Sequence, residues 1–231
     1  TGGGTGGHIY PGLAVCDELR VLLNEKDTSS IRFLWIGNYK GMDKTIVEKS
    51  GSIDVFKGIP CGKLRRYVSF KNVVDILNIA AGFIASLLIL IKYKPVFLFS
   101  KGGFVSVPPC YAARLLRISV FTHECDITPG LATRLNSTCA KNIFISYDKS
   151  KSYFSQAIQS KLIVTGNPVR PIFYEADSSI GLRFLFGNSK PPSLPILFIL
   201  GGSSGALQIN NLIYESYEWI CSHFFVVHQT G

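Results

Sequence analysis

Short apolar runs alternate with longer amphipathic stretches along most of this chain, as strands and helices do in an α/β fold. The short runs are apolar on both faces and end in glycine or a polar turn, which is typical of strands buried in a parallel sheet. Strands are predicted at 31–37, 53–59, 96–99, 119–122, 143–146, 162–165, 196–200 and 224–227. Helices are predicted at 12–22, 43–50, 76–91, 108–116 and 129–136, and from the glycine loop at 201–206 to about 220.

This alternation is interrupted at 166–192, where a polar, proline-containing stretch shows neither a helix nor a strand period. We predict an N-terminal Rossmann-like domain at 1–165, a linker at 166–192 and the start of a second such domain at 193–231. No strand is predicted before Thr1, and the last predicted strand lies close to Gly231. We therefore expect that the first domain lacks its first strand and that the second is incomplete, both being doubly wound parallel sheets.

Three glycine-rich or polar turns lie in the first domain, at 3–8, 101–106 and 123–130, and the second and third of them follow predicted strands. Ligands of open parallel sheets bind where strands end and helices begin, so we expect these turns to share one crevice. Five of the first seven residues are glycine. With the N–H groups at the start of the next helix, they favour a phosphate or diphosphate ligand.

His8 stands where the first glycine loop meets its helix, which suits a proton acceptor beside a bound anion. A glycine-rich turn with a structural histidine is the alternative. His123 and Glu124 are either crevice ligands or structural groups at a strand end. Lys101 either neutralises a diphosphate or lies on the surface.

The glycine loop at 201–205 opens the second domain and contains Ser203 and Ser204. Their hydroxyls either contribute donors to a diphosphate site or only cap the following helix. This loop lacks the G-x-G-x-x-G spacing of dinucleotide-binding proteins, and no convincing acidic partner for a ribose follows the first loop. Two phosphate loops in successive domains favour phosphorylated ligands.

The chain carries 24 Lys and Arg against 15 Asp and Glu, a net charge of +9. This charge balance favours a polyanionic partner, but charge alone does not choose between substrate phosphates, an anionic lipid surface and nucleic acid. The most apolar tract, 76–91, has sixteen residues and falls short of the roughly 20 that a membrane span needs. With lysines and arginines on both sides, it is either a core helix or a helix resting on an anionic bilayer.

Six cysteines are scattered along the chain without C-x-x-C pairs or Cys/His clusters. This spacing predicts reduced thiols and no metal site.

Six motifs in a fixed order make the chain similar to the family 28 glycosyltransferases of peptidoglycan synthesis. They are GGGTGGHIYPGLAV (2–15), SKGGFVSVPP (100–109), THECDITPGLATRLN (122–136), TGNPVR (165–170), LGGSSGALQIN (200–210) and VVHQTG (226–231). The resemblance implies a two-domain GT-B fold, with an acceptor-binding and membrane-binding N-terminal domain and a C-terminal domain that binds the nucleotide sugar. It also implies transfer of GlcNAc from UDP-GlcNAc to lipid I, with inversion and with neither a metal nor a cofactor.

The implied partners are UDP-GlcNAc, lipid I and an anionic membrane, without nucleic acid, at the cytoplasmic face of the bacterial cell membrane. His8 would be the catalytic base. Donor contacts would be Thr5, Gly6, Gly7, Asp126, Arg170 and Ser203. Acceptor diphosphate contacts would be Gly3, Gly4, His8, Gly102, Gly103 and Glu124. The membrane patch would be Phe83, Ile84, Leu87, Leu88, Ile91, Lys92 and Lys94.

Asp126 departs from the family pattern, because an acceptor-only carboxylate stands where the family has an amide. The family segments that recognise uracil and GlcNAc would lie beyond Gly231, so we expect this stretch alone to be inactive. A related transferase with another lipid acceptor, or an inactive acceptor-binding fragment, are the alternatives.

Overall fold

The computed structural model describes residues 1–24, 31–63, 70–202 and 205–231. Two compact units are present, Thr1–Tyr174 and Glu175–Gly231. Each contains parallel strands with helices between them, so the predicted α/β class with parallel sheets is confirmed. The division at Tyr174 falls inside the segment 166–192, in which the structure also has a helix, Ser178–Phe186.

The described part of the first unit contains six parallel strands, in a pair and a group of four. They are β1 (Leu34–Asn38), β2 (Val55–Ile59), β3 (Phe97–Ser100), β4 (Ser119–Glu124), β5 (Asn142–Ile145) and β6 (Leu162–Val164). Its helices are α1 (Gly6–Asn24), α2 (Asp43–Ser50), α3 (Phe70–Tyr93), α4 (Val107–Leu115), α5 (Leu131–Cys139) and α6 (Gln156–Gln159). Short 3-10 helices occupy Phe104–Ser106, Asp148–Tyr153 and Pro171–Phe173.

Thr1 connects the two groups of strands. Its amino group donates to the Phe99 carbonyl of β3, and its hydroxyl donates to the Ile36 carbonyl of β1, both at 2.7 Å. The first glycine loop therefore starts between β1 and β3, near their carboxyl ends.

Helix α1 begins at Gly6, six residues before the start that the sequence predicts. Glycine has a low helix propensity, and Pro11 inside the segment also argues against a helix there. However, Ile9 and Leu13 are completely buried and pack with Trp35 and Val47. Burial of this face outweighs the propensities, because tertiary packing supplies most of the stability of helices in proteins.

Helix α3 is 24 residues long and exceeds the predicted tract at both ends. Its stretch Val73–Tyr93 has a mean hydropathy of 2.3 and is long and apolar enough to span a membrane by length and composition, so the expectation that it is too short is wrong. Length and composition do not decide whether α3 spans a membrane, because core helices of soluble proteins meet the same criterion. In this unit α3 packs against α4 and β2, and Ser86 and Leu90 are buried.

The main core of the first unit lies between the strands and helices α3 and α4. It contains Ile36, Ile59, Leu90, Leu98, Cys110, Ala112, Ala113, Val120, Ala140, Ile143, Ile145 and Phe154. Burial raises the pKa of the Cys110 thiol to about 12, as expected for a thiol used for packing. All six cysteines are free.

The second unit contains a parallel pair, β7 (Ile196–Leu200) and β8 (Phe225–Gln229). Its helices are α7 (Ser178–Phe186), α8 (Leu207–Glu215) and α9 (Tyr217–His223). The single helix predicted up to about 220 is wrong, because the chain leaves helical geometry at Ser216, where φ is −103° and ψ is 11°. Among the described residues of this unit, Ile220 is the only buried hydrophobic side chain.

Candidate functional site

A cavity of about 340 Å³ opens in the first unit where the loops after its strands meet. The three turns that the sequence predicts to share one crevice line it together. The lining residues are Gly3, Gly4, Thr5, His8, Gly62, Lys63, Ile79, Gly103, Phe104, Val107, Glu124, Asp126, Gly130, Leu131, Ala132, Thr133 and Leu135. Its volume lies at the low end of the range for small-molecule sites.

A buried carboxylate holds the first glycine loop in place. The Oδ1 atom of Asp43 accepts the N–H of Gly4 at 3.0 Å, and its Oδ2 atom accepts the N–H of Asn38 at 2.9 Å. Asp43 is only 1% exposed. A Cβ on Gly3 would overlap this carboxylate, so a glycine is needed there for close approach.

The second glycine loop packs against His8. Gly103 has a φ of +77°, and a Cβ there would lie 2.5 Å from the Gly3 carbonyl oxygen and 2.9 Å from Cδ2 of His8. A Cβ on Gly102, at φ +86°, would lie 3.7 Å from Nδ1 of the same ring. Both glycines have a backbone conformation that other residues oppose, and at Gly103 the close approach to Gly3 and His8 also requires glycine.

His8 is half-buried in this contact between the two loops. Burial lowers its pKa below 6.5, and the positive charge of Lys101 lowers it further; a hydrogen bond to the Lys101 backbone, Glu124 and Asp126 act in the opposite direction. Its Nδ1 atom is buried and has no hydrogen-bond partner within the described part of the chain. The neutral imidazole that results at pH 7 is able to accept a proton.

Glu124 organises the third turn. Its Oε1 atom accepts the N–H of Asp126, and its Oε2 atom accepts the N–H of Gly130, both at 3.1 Å. The Asp126 side chain is exposed and reaches the cavity. Glu124 therefore shapes the cavity wall with both carboxylate oxygens already engaged by the backbone.

His123 does not line the cavity. It is 2% exposed, and its Nε2 atom donates to the Gly166 carbonyl at 2.9 Å. Burial and the charge of Lys101 lower its pKa to about 4. Of the two interpretations left open by the sequence, this geometry favours the structural one.

Lys101 is buried, so the expected surface position is wrong. Its side chain is 1% exposed and starts close to Gly2 and Gly12, where the absence of side chains makes room for it. Its ammonium group donates to the Sγ atom of Cys125. Because Lys101 does not line the cavity, it is not placed to contact a diphosphate there.

The remaining predicted donor contacts are spread more widely. Thr5 and Asp126 line the cavity, whereas Gly6 and Gly7 form the first turn of α1. The Nε atom of Arg170 lies 3.6 Å from Oδ2 of Asp17 on α1 and is absent from the cavity wall. Ser203 lies outside the described residues, as does Ser204.

The predicted membrane patch divides into two parts. Phe83 and Leu87 pack against the core, so they are not available as a surface. Ile84, Leu88 and Ile91 are 58%, 65% and 53% exposed and lie along one face of α3. Lys92 and Lys94 are exposed at the end of the helix.

Sequence reasoning missed two charged residues of this site, Asp43 and Lys63. An acidic residue in the first turn of a predicted helix is a readable signal at Asp43, but the sequence gives no sign of its burial against Gly3 and Gly4. Lys63 is one of the basic residues that precede the apolar tract 76–91, and nothing in that pattern connects it with the glycine loops. In the ranges that the structure covers, no group of three or more His, Cys, Asp or Glu side chains could hold a metal ion.

The family model of the glycosyltransferase family 28 N-terminal domain matches residues 1–145, more than half of the chain. The chain belongs to this family. Among family 28 relatives, the UDP-N-acetylglucosamine–N-acetylmuramyl-(pentapeptide) pyrophosphoryl-undecaprenol N-acetylglucosamine transferase of Treponema denticola is 54% identical over 237 residues. The match covers 100% of this chain and 58% of that protein, so the chain spans less than two thirds of its relative.

The family 28 fold is also seen in a solved structure, that of Acinetobacter baumannii MurG. It is 23% identical, has a TM-score of 0.62, and the match covers 99% of this chain and 56% of that one. The UDP-GlcNAc 2-epimerase of Neisseria meningitidis, solved with UDP-GlcNAc, also has a TM-score of 0.62, at 17% identity. The match covers 95% of this chain and 63% of that one. At these identities the likeness concerns the fold alone, and it agrees with the predicted GT-B class.

Proposed function

We propose that the protein containing this chain transfers GlcNAc from UDP-GlcNAc to the 4-hydroxyl of the MurNAc unit of lipid I. The product would be lipid II for peptidoglycan synthesis. The observation that carries this proposal is the 54% identity, along the whole chain, to a Treponema denticola transferase whose name describes this reaction. The cavity supports it, because it combines glycine loops with a histidine of lowered pKa.

In the proposed reaction the acceptor diphosphate binds the loops that contain Gly3, Gly4, Gly102 and Gly103. The neutral His8 takes the proton of the acceptor hydroxyl as its oxygen attacks the anomeric carbon. A carbon–oxygen bond forms on one face while the bond to UDP breaks on the other, so the configuration inverts and UDP leaves with the bonding electrons. Glu124 keeps the third turn in place beside the acceptor.

The proposed donor contacts are Thr5, Gly6, Gly7, Asp126, Arg170 and Ser203. The proposed domains are an acceptor domain at 1–165, a linker at 166–192 and a nucleotide-sugar domain that starts at 193. Asp126 cannot donate to the donor as an amide would. Arg170 would have to exchange its ion pair with Asp17 for the ligand.

The test is GlcNAc transfer by the full-length protein, with lipid I and UDP-GlcNAc as substrates. His8→Ala should lower kcat by roughly 10²–10⁴, the contribution of a general base. His223→Ala is the matched control, because this histidine is exposed on α9. Near-normal turnover of His8→Ala would remove His8 from this role. Transfer to diacylglycerol but not to lipid I would replace the proposed acceptor.

We also propose that the protein associates peripherally with the anionic cytoplasmic face of the bacterial membrane. The exposed residues Ile84, Leu88 and Ile91 would enter the lipid, while Lys92 and Lys94 meet head groups. A Cβ on Gly82 would lie 2.3 Å from the Pro60 carbonyl oxygen, so α3 is closely packed on its own unit. This packing supports a helix that lies on the bilayer rather than one that spans it.

Vesicle sedimentation tests the membrane proposal. Replacing Ile84, Leu88 and Ile91 together with Ser should reduce binding to phosphatidylglycerol vesicles and leave thermal unfolding of the protein nearly unchanged. The control replaces Val21 and Leu115 with Ser, since both are at least half exposed on other helices. Equal losses for both variants, or unchanged binding of the triple variant, would contradict the proposed surface.

A further inference from the structure

The cavity holds few groups that favour an anion, in spite of its glycine content. The N–H of Gly4 donates to Asp43, and the Lys101 ammonium, which donates to Cys125, does not line the cavity. Glu124 and Asp126 add negative charge to the wall. A bound diphosphate therefore needs a positive side chain that reaches the cavity.

Lys63 is that side chain. Of the described residues that line the cavity, it is the only lysine or arginine. Its backbone position is fixed by Gly62, which approaches α3 so closely that a Cβ would lie 2.0 Å from the Asp75 carbonyl oxygen. The Lys63 side chain is exposed, so it is accessible to a ligand in the cavity.

The same cavity has an apolar wall. It is formed by Ile79 of α3, Phe104, Val107, Leu131 and Leu135. A diphosphate or a sugar hydroxyl gains nothing from such a surface, whereas a hydrocarbon chain gains about 25 cal/mol for each Å² that it buries. The site is therefore built for a ligand with one anionic and one hydrocarbon part.

The apolar wall continues out of the cavity along α3. Ile79 lines the cavity, and Ile76, one helical turn before it on the same side, is 56% exposed. A hydrocarbon chain leaving the cavity past Ile79 would thus pass over apolar helix surface. The cavity itself, at about 340 Å³, has room for the head of a long lipid and not for its whole chain.

We propose that Lys63 pairs with the diphosphate of the lipid acceptor and that the wall around Ile79 and Leu131 binds the first prenyl units attached to it. This inference rests on the proposed function, since it assigns the acceptor's head to this cavity. Lys63 is a specificity-determining residue in this arrangement and takes no part in the proton transfer. The prenyl chain continues along α3 beyond Ile76.

Calorimetric titration of the full-length protein with geranyl diphosphate, inorganic diphosphate and geraniol tests both parts of the site. Geranyl diphosphate should bind at least about 10-fold more tightly than either of the other probes. Lys63→Met should lower the affinity for geranyl diphosphate and for inorganic diphosphate by about 10-fold or more, since it removes a charge-assisted contact. Lys63→Arg should restore most of this affinity, because it keeps the charge.

Leu131→Ser should lower the affinity for geranyl diphosphate several-fold and leave the affinity for inorganic diphosphate unchanged. Leu131 is 54% exposed, so the folded state tolerates this change. The matched controls are Lys44→Met, on the exposed face of α2, and Leu115→Ser, an exposed leucine outside the cavity. Neither control should alter the affinity of any probe.

The transfer reaction separates this inference from the proposed function. If GlcNAc transfer occurs, Lys63→Met should raise the KM for lipid I and leave kcat nearly unchanged. Transfer with an unaltered KM, or equal affinities for geranyl diphosphate and inorganic diphosphate, would overturn the inference and leave the function standing. Binding that depends on Lys63 and Leu131 without any GlcNAc transfer would support the site and overturn the function.

Discussion

The backbone N–H of Gly4 donates to the Oδ1 atom of Asp43 at 3.0 Å, across 39 residues of sequence. The other carboxylate oxygen accepts the N–H of Asn38, at the end of β1. A single buried side chain thereby ties the first glycine loop to the neighbouring strand. The position of the loop depends on this carboxylate as well as on its own glycines.

Asp43→Ala should lower the free energy of unfolding by at least about 2 kcal/mol, because it leaves two backbone donors without a partner. Asp43→Asn should cost less, since its carbonyl oxygen can still accept one of them. Urea denaturation at pH 7.5 measures both. Asp148→Ala is the control, because its side chain is 79% exposed and should change stability by less than about 0.5 kcal/mol. An equal effect of Asp43→Ala and Asp148→Ala would contradict the anchoring role.

Gly103→Ala should destabilise the protein more than Gly51→Ala does and should also lower the rate of the proposed GlcNAc transfer. Both glycines have φ near +70°, which costs a residue with a Cβ about 1–2 kcal/mol. At Gly51 the space is open, whereas at Gly103 the new Cβ would meet the Gly3 carbonyl and the His8 ring. Urea denaturation and initial rates of the full-length protein measure the two effects. Equal losses of stability would show that the conformation alone, and not the contact with His8, requires glycine.

The stability of the first unit should fall as the pH is lowered from about 6.5 towards 4, because of His123. Its pKa is about 4 in the folded protein against an ordinary 6.5, so the unfolded chain binds more protons between these values. The stabilisation is complete above pH 6.5, and up to about 3 kcal/mol of it is lost by pH 4. Urea denaturation at pH 7.5 and 5.0 should show a smaller difference for His123→Gln than for the unchanged protein. His223→Gln, an exposed control, should keep the full difference.

The acid limb of the pH–rate profile should lie below pH 6.5, because burial and the charge of Lys101 lower the pKa of His8. Lys101→Met removes that positive charge, so the pKa of His8 should rise and the limb should move to higher pH. The profile of kcat/KM between pH 5 and 8 measures this shift in the full-length protein. Lys44→Met, whose charge lies on the exposed face of α2, should leave the limb in place. If the acid limb also stays in place in Lys101→Met, it does not report the titration of His8.

Local patterns were enough to predict much of the fold. Helix 43–50 and strand 196–200 are found with the predicted bounds, because each has a clear apolar pattern and a turn at both ends. The glycine-rich turns and the position of His8 beside the first of them could also be predicted, since such turns depend on a few consecutive residues. The prediction was wrong at the start of α1, where propensity and tertiary packing disagree, and at Ser216, where the chain leaves helical geometry.

The sequence by itself determined the alternation of strands and helices, the glycine loops and the histidine between them. Only the tertiary structure decided that Asp43 anchors the first loop, that Lys101 is buried and that Lys63 reaches the cavity. The physical reason is that the burial and charge partners of a side chain come from segments far apart in the chain. Lys101, for example, is enclosed because Gly2 and Gly12 of another segment leave space for it.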